Sequence, residues 1–294
     1  MRFIFFILLF FITYSYASKN DILNIALYGL DKKIANEKTV EKLLLKLYDK
    51  IDNLKDKKIN TFFYKTEKEL VDDIKSDKKK FDFLYTIPSV YLRNYNIINN
   101  NTINHFAITT NESKYVQYYL VASKDLSLKK LLSLKNKKLR LQSMDFLGQY
   151  WFENLFLSEG VNYYKKNIKI NKNKVHRQYK KILDVYFGKI DLAIISKNSW
   201  ETTIDLNPKI KNKIHVLKKS EEIFPAVITV SNRNINKDIL KHHHDFILDE
   251  NNEEYISNIL SLVKFSNVIK IDKNDYDKAH KFYEKYLFTK QKYK

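Results

Sequence analysis

From Leu23 to Val230 the chain alternates between short apolar runs and longer stretches with helical apolar spacing. That alternation constrains the fold most, because strands separated by helices are joined by crossovers and build largely parallel sheets. Leu23 to Leu27 reads as a buried strand ended by Tyr28-Gly29. Apolar positions 40, 43, 44, 47, 48 and 51 share one helical face. Strands are predicted over 59–64 and 81–85, with a capping box at Thr66 and Glu69 between them. Pro88 suits a first helical turn, so a helix is expected over 89–95.

Further strands are expected at 105–110, 115–123, 138–141, 191–195, 214–217 and 226–230. Helices are expected at 146–158, 177–187, 198–206, 236–249, 252–262 and 275–286. One pattern occurs twice. A helix precedes Phe81-Asp82-Phe83-Leu84-Tyr85, and another precedes Ile190-Asp191-Leu192-Ala193-Ile194-Ile195. Each strand leads into a hydroxyl-bearing segment, Thr86 to Ser89 or Ser196 to Ser199. Two lobes on one plan account for the repetition.

Composition removes several chemistries. No Cys is present among the 294 residues, which excludes disulfides, thiolate metal sites and cysteine nucleophiles. Gly29, Gly148, Gly160 and Gly188 are the only glycines and none are neighbours, so neither a P-loop nor a dinucleotide fingerprint can form. The 53 Lys+Arg against 34 Asp+Glu leave a charge of +19. Lys and Asn are spread along the whole chain, so the charge does not point to nucleic acid, and no such partner is expected. His242-His243-His244 looks like a metal site. Consecutive helical residues point about 100° apart, however, so the run reads as a solvated helix face and no metal is expected.

Met1-Arg2 precedes the apolar run Phe3 to Ile12, and Ser15 and Ala17 supply the small residues of a cleavage site. Ten apolar residues fall short of the roughly 20 that span a bilayer. Residues 1–17 are read as a signal peptide, with an uncleaved anchor as the alternative.

Tyr186-Phe187-Gly188-Lys189-Ile190-Asp191-Leu192-Ala193, the strand Phe81 to Tyr85 and the turn at Tyr28-Gly29 together resemble the phosphate/phosphite/phosphonate-type periplasmic substrate-binding proteins of ABC transporters. The resemblance covers about Ile22 to Val230. It implies an α/β, two-lobed periplasmic binding protein of type II with a hinge of two crossing segments. Residues 18–110 and 222–294 would form lobe 1, and 111–221 lobe 2. The hinge would lie near Phe106 to Tyr118 and Ile223 to Val230. The implied function is capture of a small anionic or zwitterionic, phosphonate-like ligand between the lobes, for delivery to an ABC permease in the inner membrane. The protein would be a periplasmic monomer without cofactor, and not an enzyme. A membrane sensor kinase as partner, or an interaction protein with an empty cleft, are the alternatives.

Candidate ligand residues come from strand ends and helix starts. Tyr28, Tyr85, Thr86 and Ser89 lie at such ends in the first lobe, where open α/β sheets bind ligands. Tyr118 is placed by the resemblance in the hinge strand. Ser143 and Asp145 stand where the family opens a helix on its anion, and a helix N-terminus favours that charge. Asp145 opposes it. Two unit charges at about 4 Å repel by roughly 4 kcal/mol at an effective dielectric of 20, so a Lys or Arg is needed nearby. His176, Arg177 and Asp191 complete the set. An enzyme would have to rely on Asp145 with Asp191, or His176 with Ser143, and neither pair has motif support.

Overall fold

The computed structural model describes residues 22–29, 36–76, 81–109, 113–133, 139–142, 146–162, 168–170, 178–222, 224–225, 227–262 and 265–293. Its first elements are β1 (Ile22–Tyr28), α1 (Glu37–Asp49), β2 (Lys58–Phe63), α2 (Glu67–Lys75), β3 (Phe83–Thr86), α3 (Pro88–Arg93) and α4 (Tyr95–Asn101). Next come β4 (Thr102–Thr109), β5 (Tyr115–Val116), β6 (Tyr118–Ser123), α5 (Leu128–Ser133), β7 (Leu139–Gln142), α6 (Phe146–Ser158) and β8 (Ile168–Ile170). They are followed by α7 (Gln178–Tyr186), β9 (Leu192–Ser196), α8 (Lys197–Leu206), β10 (Ile214–Lys219), β11 (Phe224–Pro225) and β12 (Val227–Asn232). The chain continues through α9 (Lys237–Leu248), α10 (Glu253–Ser261), β13 (Asn267–Lys270) and α11 (Lys273–Gln291).

The chain packs as two compact units. The first holds residues up to Ile87, Asn96–Phe106 and Thr229–Val268. The second holds Pro88–Tyr95, Ala107–Ile228 and Ile269–Lys294. The sequence expectation of 18–110 with 222–294 in one lobe and 111–221 in the other differs from this grouping at 88–95, 107–110, 222–228 and 269–294; the last goes with the packing of α11 on α6.

In the first unit, β1 pairs in parallel with both β2 and β3. Parallel neighbours need crossovers, and α1 and α2 supply them. The order of this sheet is β13-β4-β12-β3-β1-β2. Thr66 and Glu69 form the anticipated capping box at the start of α2. Gly29 ends β1 at φ +79°, where a Cβ would stand 2.8 Å from Ile87 Cγ1. Gly29→Ala adds a left-handed alanine to that clash, and is expected to lower stability by about 2–3 kcal/mol. Urea unfolding checks this, and a change under 0.5 kcal/mol would contradict it.

The second unit is built on the order β10-β6-β9-β7-β8. Strand alternation sends Tyr119 and Val121 of β6 and Ala193 and Ile195 of β9 to one face. Ile182 and Val185 of α7, and Trp200 and Ile204 of α8, cover that face. Gly188 closes α7 at φ +68°, with its N–H on the Val185 carbonyl and the Lys189 N–H on Asp184.

The histidine run is not a uniformly solvated face. His243 is buried, 4.1 Å from Phe83 and 5.7 Å from Tyr48 between ring centroids. His242 is half-buried; its Nδ1 donates to the Asp238 carbonyl, and its Nε2 accepts from Asn53. Among the described residues no group of three or more His, Cys, Asp or Glu could hold a metal ion.

Candidate functional site

In the first unit the strand ends converge. Tyr28 of β1 is the register partner of Thr86 of β3, so their side chains leave the same face. Thr86 is fully buried and its hydroxyl finds no hydrogen-bond partner among the described residues. The Thr229 hydroxyl, on the adjacent strand β12, is also buried and without a hydrogen-bond partner among the described residues. Buried hydroxyls are normally satisfied, so two open ones on neighbouring strands mark this part of the unit as unusual.

Tyr85 behaves differently. It alternates with Thr86, and its hydroxyl lies 3.4 Å from the Tyr48 hydroxyl inside the core. Burial first, opposed by that contact, pushes its pKa up to about 12. Its ring fills the core and is not bared for stacking on a ligand.

In the second unit Tyr118 is the antiparallel partner of Ser196, at the C-terminal end of β9. Ser196 caps α8 by accepting the Ser199 N–H, and its own N–H donates to Gln178 Oε1 at 2.8 Å. Tyr118 is buried, with its ring against Trp151 of α6, and its N–H donates to Ser220 Oγ at 2.8 Å. It is a packing residue at this edge. Asp191 precedes β9 and so stands at the other end of that strand, about 16 Å from Ser196 at 3.3 Å per residue. The structure does not bring it to the edge where Tyr118 and Ser196 meet. Ser89 is buried on α3 in this same unit. Ser143, Asp145, His176 and Arg177 lie outside the described residues.

Sequence reading missed Arg93. It ends α3, and its guanidinium sits 5.4 Å above the ring of Phe146, the first residue of α6. Its Nη1 donates to Tyr150 Oη at 3.4 Å. Phe146 itself is 55% exposed. A basic residue in a last helical turn looks ordinary in the sequence; only the packing of α3 on α6 shows what it serves.

Mixed α/β architecture in two compact units, with hydroxyls at strand ends, defines the class of two-lobed periplasmic binding proteins. A family model described as "ABC transporter, phosphonate, periplasmic substrate-binding protein" matches residues 35–276. The chain belongs to that family. It is similar in fold to the binding component of an ABC phosphonate transporter from Pseudomonas aeruginosa, at 13% identity and TM-score 0.59, over 93% of this chain and 89% of that one. PhnD1 from Prochlorococcus marinus in complex with methylphosphonate aligns at 17% identity and TM-score 0.61, over 92% and 99% of the two chains. A Xanthomonas citri protein bound to ATP aligns at 8% identity and TM-score 0.64, over the same shares. No curated protein matches the sequence.

Proposed function

We propose that the protein captures a small phosphonate-like anion or zwitterion and hands it to an ABC permease. Arg93 carries this reading, because it sets a guanidinium beside the start of α6. A guanidinium presents paired N–H donors to a phosphonate or carboxylate, and the helix N-terminus adds partial positive charge. Thr86 and Tyr28 are ligand candidates at the strand ends of the first unit. Ser143, Asp145, His176 and Arg177 remain ligand candidates from the sequence alone. Closure would turn on the segments near Phe106 to Tyr118 and Ile223 to Val230, with no bond made or broken. The protein would work as a monomer, exported to the periplasm by residues 1–17. A membrane sensor kinase would read the same closed state, and a neighbouring kinase gene in place of a permease would favour it.

Thermal-shift screening tests the proposal with phosphate, phosphite, methylphosphonate, 2-aminoethylphosphonate, sulfonates and quaternary amines. A ligand at 100 times its dissociation constant adds about 2.7 kcal/mol of stability. Arg93→Gln is expected to weaken binding of the responding anion by about 10- to 100-fold, the range of a charged hydrogen bond. A panel without any response would overturn ligand capture. A response that survives Arg93→Gln unchanged would remove Arg93 from the site.

A further inference from the structure

The C-terminal helix α11 has two unlike faces. Its inner face is tied down throughout the second unit. Asp275 accepts hydrogen bonds from Lys114 and Tyr115. Asp277 accepts from Tyr95 at 2.6 Å, and His280 stacks on the Tyr95 ring at 4.0 Å. Tyr286 stacks on Tyr150 at 4.8 Å and donates to Glu153.

The outer face carries Lys278, Lys281, Lys285, Phe288 and Lys292, all exposed. Their spacing of three, four, three and four keeps them within an arc of about 80° at 100° per residue. Over 14 residues the stripe runs about 21 Å in a line. No acidic residue falls in that arc. The flanking acids are occupied elsewhere: Asp277 with Tyr95, and Glu284 with His280 at 3.7 Å. Among the described residues, Lys278, Lys281 and Lys285 form no ion pair. Phe288 is 61% exposed and lies under the Lys292 ammonium at 4.3 Å.

We propose that this face docks on an anionic lipid surface. A straight row of ammonium groups without ion pairs among the described residues, ending in an exposed aromatic ring, complements a plane of phosphodiester headgroups. Lysines reach the headgroups while the Phe288 ring enters the acyl boundary. An acidic protein pocket would instead call for cations converging on a point. The face lies away from α6 and Arg93, so docking leaves the ligand residues of this unit free. The inference is independent of the ligand's identity and concerns where the protein waits, next to the membrane that holds its permease.

Co-sedimentation of the full-length protein with vesicles tests it. Phosphatidylcholine vesicles with 30% phosphatidylglycerol are compared with pure phosphatidylcholine. Each lysine at an anionic surface contributes on the order of fivefold in partitioning. K278Q/K281Q/K285Q is therefore expected to weaken binding to the anionic vesicles by about 100-fold, and F288S by a further few-fold. K209Q/K211Q/K213Q removes equal charge from another surface and is expected to change binding less than threefold. Salt at 0.5 M should abolish the preference for anionic vesicles. Equal loss in both triple variants would reduce the effect to net charge and overturn the proposal, as would unchanged binding in K278Q/K281Q/K285Q or no preference for phosphatidylglycerol. All six lysines are exposed, so matching melting curves show that each variant is folded.

Discussion

Glu153→Ala is expected to destabilise the second unit by about 3–5 kcal/mol and to loosen α11. Glu153 is buried in α6 with its side chain only 4% exposed. Its carboxylate accepts from Tyr286 Oη at 2.5 Å, Lys290 Nζ at 3.3 Å and Gln149 Nε2 at 2.9 Å. Lys290 Nζ also donates to Tyr286 Oη at 2.6 Å, so the three groups of α6 and α11 form one closed network. Removing the carboxylate takes away the acceptor that the Tyr286 hydroxyl and the Lys290 ammonium share, beside the stacked rings of Tyr150 and Tyr286. Breaking one partner of a buried pair costs far more than the pair contributes net. The triple variant Glu153→Leu, Tyr286→Phe, Lys290→Met should therefore recover most of the loss. Urea unfolding gives the magnitude, and limited proteolysis near residues 287–292 reports the loosening. A loss below 1 kcal/mol for Glu153→Ala would show that water already satisfies the network.

Local rules were legible in the sequence, and long-range pairings were not. Thr66 with Glu69, and Gly188 after Tyr186, announce a helix start and a helix end through contacts within four residues. Position 85 shows the limit. A strand-end tyrosine suits a ligand or a core equally well, and the deciding contact, with Tyr48, spans 37 residues. α4 was missed because Tyr-Asn-Ile-Ile-Asn-Asn-Asn is rich in a poor helix former and stands only through packing. β8 and β13 are three and four residues long, below what periodicity resolves. The grouping of 269–294 with the second unit depends on Glu153 and Tyr286, 133 residues apart. Arg93 was hidden for the same reason: the ring and hydroxyl it touches, Phe146 and Tyr150, are more than 50 residues away. For the candidate site, then, strand ends were foreseeable as places, while the side chains that use them were not.

Acid is expected to destabilise the first unit through His243, more steeply than carboxylate titration alone would. The His243 ring is packed against Phe83, Tyr48 and Phe106, and neither ring nitrogen has a hydrogen-bond partner among the described residues. Burial first, and the neighbouring His244 second, lower its pKa from 6.5 to about 3. Tyr48 faces it, with Tyr85 behind, both with raised pKa values, and the buried Asp82 carboxylate is near enough to Tyr48 to help raise its pKa. Burial and the neighbouring His244 both act against an imidazolium there. A histidine whose folded pKa is depressed contributes stability that is complete above 6.5. That stability is lost as pH falls from 6.5 towards 3, because the unfolded chain takes up the proton first. The loss approaches about 1.4 kcal/mol per pH unit, on the order of 4 kcal/mol at the end of that window. His105, lowered to about 4 by burial, steepens the fall in the same direction over 6.5 to 4. His243→Leu keeps an apolar side chain of similar size in the ring's place and should remove one proton's worth of slope between pH 6.5 and 4. At pH 7 it should be no less stable, since no hydrogen bond is lost. Urea midpoints measured at half-unit intervals decide the matter: an unaltered slope in His243→Leu would place the acid sensitivity elsewhere, and a large loss at pH 7 would mean that the imidazole has a hydrogen-bond partner in solution.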